Sequence, residues 1–149
     1  MVEIGVFAGE TSEHLLKTFP LLRLHGVDPY VAYENHPVAD EGAFKKALER
    51  YARFGPRALL HRSKSTDVAP QFQRLDLVFV DGSHTYEAVS QDLAAWGGKA
   101  SHLAGHDLTL GNGQVARAVY EWARDRPVGV WPDGVWVVHT TGGAKDTEL

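Results

Sequence analysis

Leu77, Val78, Phe79 and Val80 form an unbroken apolar run that ends in one step on Asp81, Gly82, Ser83 and His84. A half-buried strand alternates apolar and polar residues, whereas a run apolar at every position fits a parallel strand covered by helices on both faces. That reading constrains the chain more than any other, because parallel neighbours need long crossover connections, usually helical. The polar quartet then falls at the carboxyl end of a central strand, the edge of an open α/β sheet where ligands bind.

The segments on either side supply the expected units. Val2 to Phe7 reads as a first strand, and Gly5 and Gly9 bracket a short turn. Leu15, Leu16 and Phe19 then follow at helical spacing, with Thr11 or Ser12 as the cap. Glycine allows a sharp turn or the close approach of a ligand, and a helix start offers free N–H groups. Leu22 to Val27 makes a second strand ending in Asp28 and Pro29. Asp28 stands nineteen positions after Gly9, the kind of spacing from which a carboxylate accepts two hydrogen bonds from a ribose.

Asn35 to Pro37 suggests a loop, after which Asp40 caps a helix with Phe44, Ala47, Leu48, Tyr51 and Ala52 on one face. Gly55 and Pro56 stop it, and Arg57 to His61 is a third strand. An adenine is expected near the polar stretch Ser63 to Asp67. After the central strand, Thr85 caps a helix whose Tyr86, Val89, Leu93 and Trp96 face the core. Ala100 to Gly105 is a fifth strand with His106 and Asp107 at its end, and Leu110 to Gly113 is a loop. Val115, Ala118, Val119, Trp122 and Ala123 form the cleanest helical stripe. Val128 to Trp131 and Val135 to Thr140, joined by Pro132-Asp133-Gly134, then read as an antiparallel hairpin.

A length of 149 residues suits one domain around one core. The formal charge of −4, with both signs mixed along the chain, provides no basic patch for nucleic acid and no polybasic stretch for a membrane. There is no cysteine, no apolar run near twenty residues and no leader pattern. The expectation is a cytoplasmic, soluble protein acting on a small molecule, with neither nucleic acid nor membrane as partner.

The motifs Glu3 to Ser12 (Glu-Ile-Gly-Val-Phe-Ala-Gly-Glu-Thr-Ser), Gly26 to Asp28, Phe79 to Tyr86 and Gly105 to Asp107 together resemble those of class I S-adenosylmethionine-dependent methyltransferases. Within that group the chain is similar to the branch of macrolide sugar O-methyltransferases and the cephalosporin hydroxylase-associated protein. The resemblance implies a Rossmann-like α/β sheet ordered 3-2-1-4-5-7-6 with strand seven antiparallel. It also implies a domain over residues 1–141 without amino-terminal helices, and a flexible tail over 142–149.

Carried over by position, Glu3, Gly5 and Gly9 face the methionine part of S-adenosylmethionine and Asp28 its ribose. Phe7, Thr11, Ser63, Asp81 and His84 complete the cofactor-binding set. His84 is the implied base, with Asp81 beside it as the second catalytic residue. In metal-dependent members the positions of Asp81, His106 and Asp107 bind a divalent metal. Here a histidine replaces one carboxylate, which moves the preference from Mg²⁺ toward Mn²⁺ or another nitrogen-tolerant ion.

The acceptor implied is a small-molecule hydroxyl. Relatives commonly cover their substrate with residues before strand one, so the pocket here is expected to stay open, to be covered by a neighbouring subunit or to take something large. A homodimer is expected, because strand one and its helices lack that cover and an uncovered apolar patch usually finds a partner. The alternative is a non-catalytic domain that binds the cofactor or a nucleotide. A nicotinamide oxidoreductase fits less well, since Gly-x-Gly-x-x-Gly is absent.

Overall fold

The computed structural model describes residues 1–32 and 40–140; the loop expected at Asn35 to Pro37 and the tail expected over 142–149 lie outside them. The strands are β1 (Val2–Ile4), β2 (Leu24–Val27), β3 (Ala58–His61), β4 (Leu75–Val80), β5 (Ala100–Gly105), β6 (Val128–Val130) and β7 (Trp136–His139). The helices are α1 (Glu10–Thr18), α2 (Glu41–Ala52), the single turn α3 (Ser65–Val68), α4 (Tyr86–Trp96) and α5 (Gln114–Ala123). They build one sheet in the order β3-β2-β1-β4-β5-β7-β6. β1 to β5 pair in parallel, and β7 is antiparallel to both β5 and β6. This is the expected order.

Residues opposite one another in register point to the same face of the sheet. Val2, Ile4, Val27, Val78, Val80, Leu103, Trp136 and Val138 therefore share a face, and they pack with Val89, Leu93 and Trp96 of α4 and Val115, Ala118 and Val119 of α5. On the other face, α1 and α2 cover β1 to β3 through Leu16, Leu24, Ala43, Ala47, Tyr51 and Ala58. That cover stops short of the far strands. Leu77, Phe79, Ala104 and Val137 instead line a groove of about 600 Å³ with Leu15 and Phe19 of α1 at its side. The two-sided burial expected of β4 is thus correct for Val78 and Val80, but Leu77 and Phe79 stay partly exposed.

Several local expectations shift for steric reasons. β1 ends at Ile4 rather than Phe7, because Gly5 takes φ 87° and Phe7 φ 50°, both outside extended backbone. α1 begins at Glu10 with Gly9 as its cap and has no side-chain cap; Thr11 is exposed and Ser12 is buried inside the helix. Asp40 caps α2 as expected, accepting from the Ala43 N–H at 2.7 Å. The buried stripe of α2 is Ala43, Ala47 and Tyr51, while Leu48 is exposed. The rotation lets the Tyr51 hydroxyl reach Ser12 at 2.7 Å. Among the described residues, no helix is long and apolar enough to cross a membrane.

Candidate active site

The turn after β1 is shaped by what lies under it. A Cβ on Gly5 would sit 2.1 Å from the Asp81 carbonyl oxygen, so only glycine lets the first turn approach the end of β4. Asp28, at the end of β2, holds that turn from the other side. Its Oδ2 accepts from the N–H groups of Val6 and Phe7, each at 3.0 Å, and its Oδ1 accepts from the Tyr30 N–H at 2.8 Å. The Tyr30 hydroxyl closes the loop by donating to the Phe7 carbonyl at 2.9 Å. Sequence spacing assigns Tyr30 no role, although its place directly after the Asp28-Pro29 pair is where a turn residue would sit.

At the ends of β4 and β5 the polar residues converge. The Asp107 carboxylate lies between two imidazoles, 2.7 Å from His84 Nε2 through Oδ2 and 2.9 Å from His106 Nδ1 through Oδ1. Its side chain is 13% exposed against 33% for His84, so the carboxylate forms the inner member of the pair. Asp107 adopts φ 58°, a conformation that Asp tolerates better than most residues. The hairpin fixes this corner: the Trp136 indole N–H donates to the His106 carbonyl at 3.3 Å, and the Leu108 N–H to the Gly134 carbonyl at 3.1 Å. Burial pushes the Asp81 carboxyl above its ordinary range; the neighbouring imidazoles of His106 and His84 oppose that shift, and Asp107 adds to it.

These groups line a pocket of about 280 Å³ with Gly5, Phe7, Asp28, Tyr30, Asp40, Asp81, His84 and Asp107 in its walls. No lysine or arginine is among its described lining residues. Of the residues implied to bind a cofactor, Gly5, Phe7, Asp28, Asp81 and His84 are in that wall. The other four lie elsewhere. Glu3 is buried beneath the turn, where the Ser12 hydroxyl donates to it, and burial pushes its carboxyl up to about 7. Gly9 caps α1 and faces Ala47 of α2. Thr11 lies along the apolar groove on the opposite side of the sheet from α4 and α5. Ser63 is outside the adjoining crevice, which takes Lys64, Ser65 and Thr66 from the same stretch. Of the expected metal trio, Asp81 and Asp107 come together with His84 rather than His106, one ligand atom from each within 4.8 Å of the others.

Residues 2–108 match the family described as a methyltransferase domain. The chain belongs to this family. The methyltransferase domain is also similar in fold to TrmN from Thermus thermophilus, with TM-score 0.67 and 14% identity over 93% of this chain and 43% of that one. A second likeness is to TrmK from M. capricolum, solved with the cofactor product S-adenosylhomocysteine, with TM-score 0.62 and 12% identity over 99% of this chain and 64% of that one. A third is to a protein from Corynebacterium glutamicum, with TM-score 0.67 and 18% identity over 99% and 73% of the two chains. The domain spans about two-fifths of the length of TrmN. No curated protein matches its sequence.

Proposed function

We propose that this domain transfers the methyl group of S-adenosylmethionine to a hydroxyl of a small molecule, with His84 as the base. The observation that carries this reading is the 2.7 Å contact between His84 Nε2 and Asp107. A carboxylate on one ring nitrogen fixes the orientation and tautomer of an imidazole and leaves the other nitrogen to accept a proton. His84 Nδ1 would take the hydroxyl proton as the acceptor oxygen forms its bond to the methyl carbon, and Asp107 would stabilise the resulting imidazolium. When bound, S-adenosylmethionine supplies an already activated methyl, whose bonding pair leaves with sulfur. The protein's contribution is therefore alignment and proton uptake. Asp28, held against the Gly5 turn at the pocket wall, suits the hydroxyls of a ribose. The carboxylates of Asp28, Asp40, Asp81 and Asp107 favour a cationic cofactor and a neutral or cationic acceptor over a polyphosphate.

Asp81, His84 and Asp107 also offer two carboxylates and one imidazole to a divalent ion, a donor set that suits Mn²⁺ better than Mg²⁺. Such an ion would polarise the acceptor oxygen, but His84 cannot be both its ligand and the base. The close approach of His84 Nε2 to Asp107 favours the base.

Single-turnover kinetics with a panel of hydroxyl acceptors tests the proposal. His84→Ala should lower turnover by about two to four orders of magnitude with cofactor affinity unchanged, and a chelator should have no effect. Full activity in both His84→Ala and Asp81→Ala would remove this strand end from the chemistry, and no turnover by the parent with any acceptor, despite cofactor binding, would leave the non-catalytic alternative standing. For assembly we propose a homodimer in which a second copy covers the groove beside Leu77 and Phe79. Sedimentation of a monomer at high concentration would remove that part.

A further inference from the structure

α4 turns one carboxylate inward among apolar neighbours. Asp92 is 8% exposed and shares the buried face of the helix with Val89, Leu93 and Trp96. Burial pushes its carboxyl up to about 6, and the Ser65 hydroxyl, at the start of α3, donates to Oδ1. Among the described residues, Oδ2 has no hydrogen bond and no cation pairs with the carboxylate, and Oδ2 is not sealed from solvent. A carboxylate this buried ordinarily carries a cation or several N–H donors. Fastening α4 to α3 could be done by a neutral side chain without that desolvation cost.

What distinguishes Asp92 is the space beside it. It stands in the wall of a crevice of about 280 Å³ between β2, α3 and α4. The crevice shares Gly5, Asp28 and Gly82 with the active-site pocket, so the two run together past the Asp28 carboxylate. A ligand with its ribose at Asp28 has its base on one side and its amino-acid part on the other. The Asp81 and His84 side is occupied by the chemistry, which leaves the Asp92 side for the base.

We infer that Asp92 reads the exocyclic amino group of the cofactor's adenine and so sets the preference for a 6-amino purine. The assignment rests on the S-adenosylmethionine reading. The amino N–H donates to Oδ2 while Ser65 holds Oδ1, which completes a carboxylate that the folded chain leaves half satisfied. A purine without that amino group covers Oδ2 without giving it a donor and binds more weakly.

Isothermal titration with S-adenosylhomocysteine and with its analogue carrying unsubstituted purine in place of adenine tests this. The parent should prefer the adenine compound by about 10 to 100-fold, the usual worth of a hydrogen bond to a buried charge. Asp92→Asn, which keeps the shape and a neutral acceptor, should reduce the preference to a few-fold, and Asp92→Ala should bring it near one. Circular dichroism checks that Asp92→Ala is folded; if it is not, Asp92→Asn alone decides. Equal binding of both compounds by the parent, or an undiminished preference in Asp92→Asn, would overturn the role of Asp92 and leave the cofactor reading intact. Failure of the parent to bind S-adenosylhomocysteine at all would overturn both.

Discussion

Glu3 places an acidic side chain in the core beneath the first turn. Its carboxyl is 1% exposed, bonded to Ser12, which in turn touches the Tyr51 hydroxyl. Burial raises it first, the Ser12 hydrogen bond lowers it, and the charges of Asp81 and Asp28 raise it further, to about 7. In the unfolded chain the same group titrates at about pH 4. Between those values the folded state holds a proton that the unfolded state has released. Stability is therefore greatest below the unfolded value and falls as pH rises to about 7, by roughly 2–3 kcal/mol from this group. The raised carboxyls of Asp81 and Asp92 act in the same sense. Urea unfolding at pH 5 and pH 8 should show the difference, and Glu3→Gln should remove Glu3's share of it. Asp28 carries a second expectation: Asp28→Ala should weaken S-adenosylhomocysteine binding by about 1–3 kcal/mol. It should also cost about 1–2 kcal/mol of stability, because three backbone N–H groups lose their acceptor. Spacing placed Asp28 at a strand end, and it does line the pocket. That it also binds its own turn was not legible, since those donors are backbone groups with no residue signature.

Among the elements, the β6–β7 hairpin was the clearest from sequence, because Pro-Asp-Gly between two β-branched runs leaves few other readings. Its second role was invisible: it buttresses the corner that carries Asp107. Trp136→Phe keeps the ring in the core and removes the indole N–H from the His106 carbonyl. We expect about 1 kcal/mol of lost stability and a drop in turnover with unchanged cofactor affinity, measured by chemical denaturation and single-turnover kinetics. A turnover equal to the parent's would mean that the corner keeps its geometry without the indole. α3 has no sequence signature, because Ser-Thr-Asp-Val is too short for a periodicity to register. The buried face of α2 differs from the expected one by a small rotation, since Phe44, Ala47, Leu48 and Tyr51 admit two adjacent stripes and only the Tyr51 contact with Ser12 selects one.

For the whole molecule, strand order follows from alternating βα units and a closing hairpin, so it could be anticipated. Which helices cover which strands could not. Leu77 and Phe79 are as apolar as Val78 and Val80, and sequence does not say that one pair packs on α4 and α5 while the other lines an open groove. That wet half-face has a thermal consequence. The heat-capacity increment of unfolding comes mainly from apolar surface newly given to water, at roughly 12–15 cal/mol/K per residue for an ordinary domain. Side chains hydrated in the folded monomer add little to it. Differential scanning calorimetry of the monomer should then return less than the roughly 1.8–2.2 kcal/mol/K that a chain of this length otherwise implies. A smaller increment flattens the curve of stability against temperature, so the monomer would lose little on cooling, and pairing through the groove would restore the curvature.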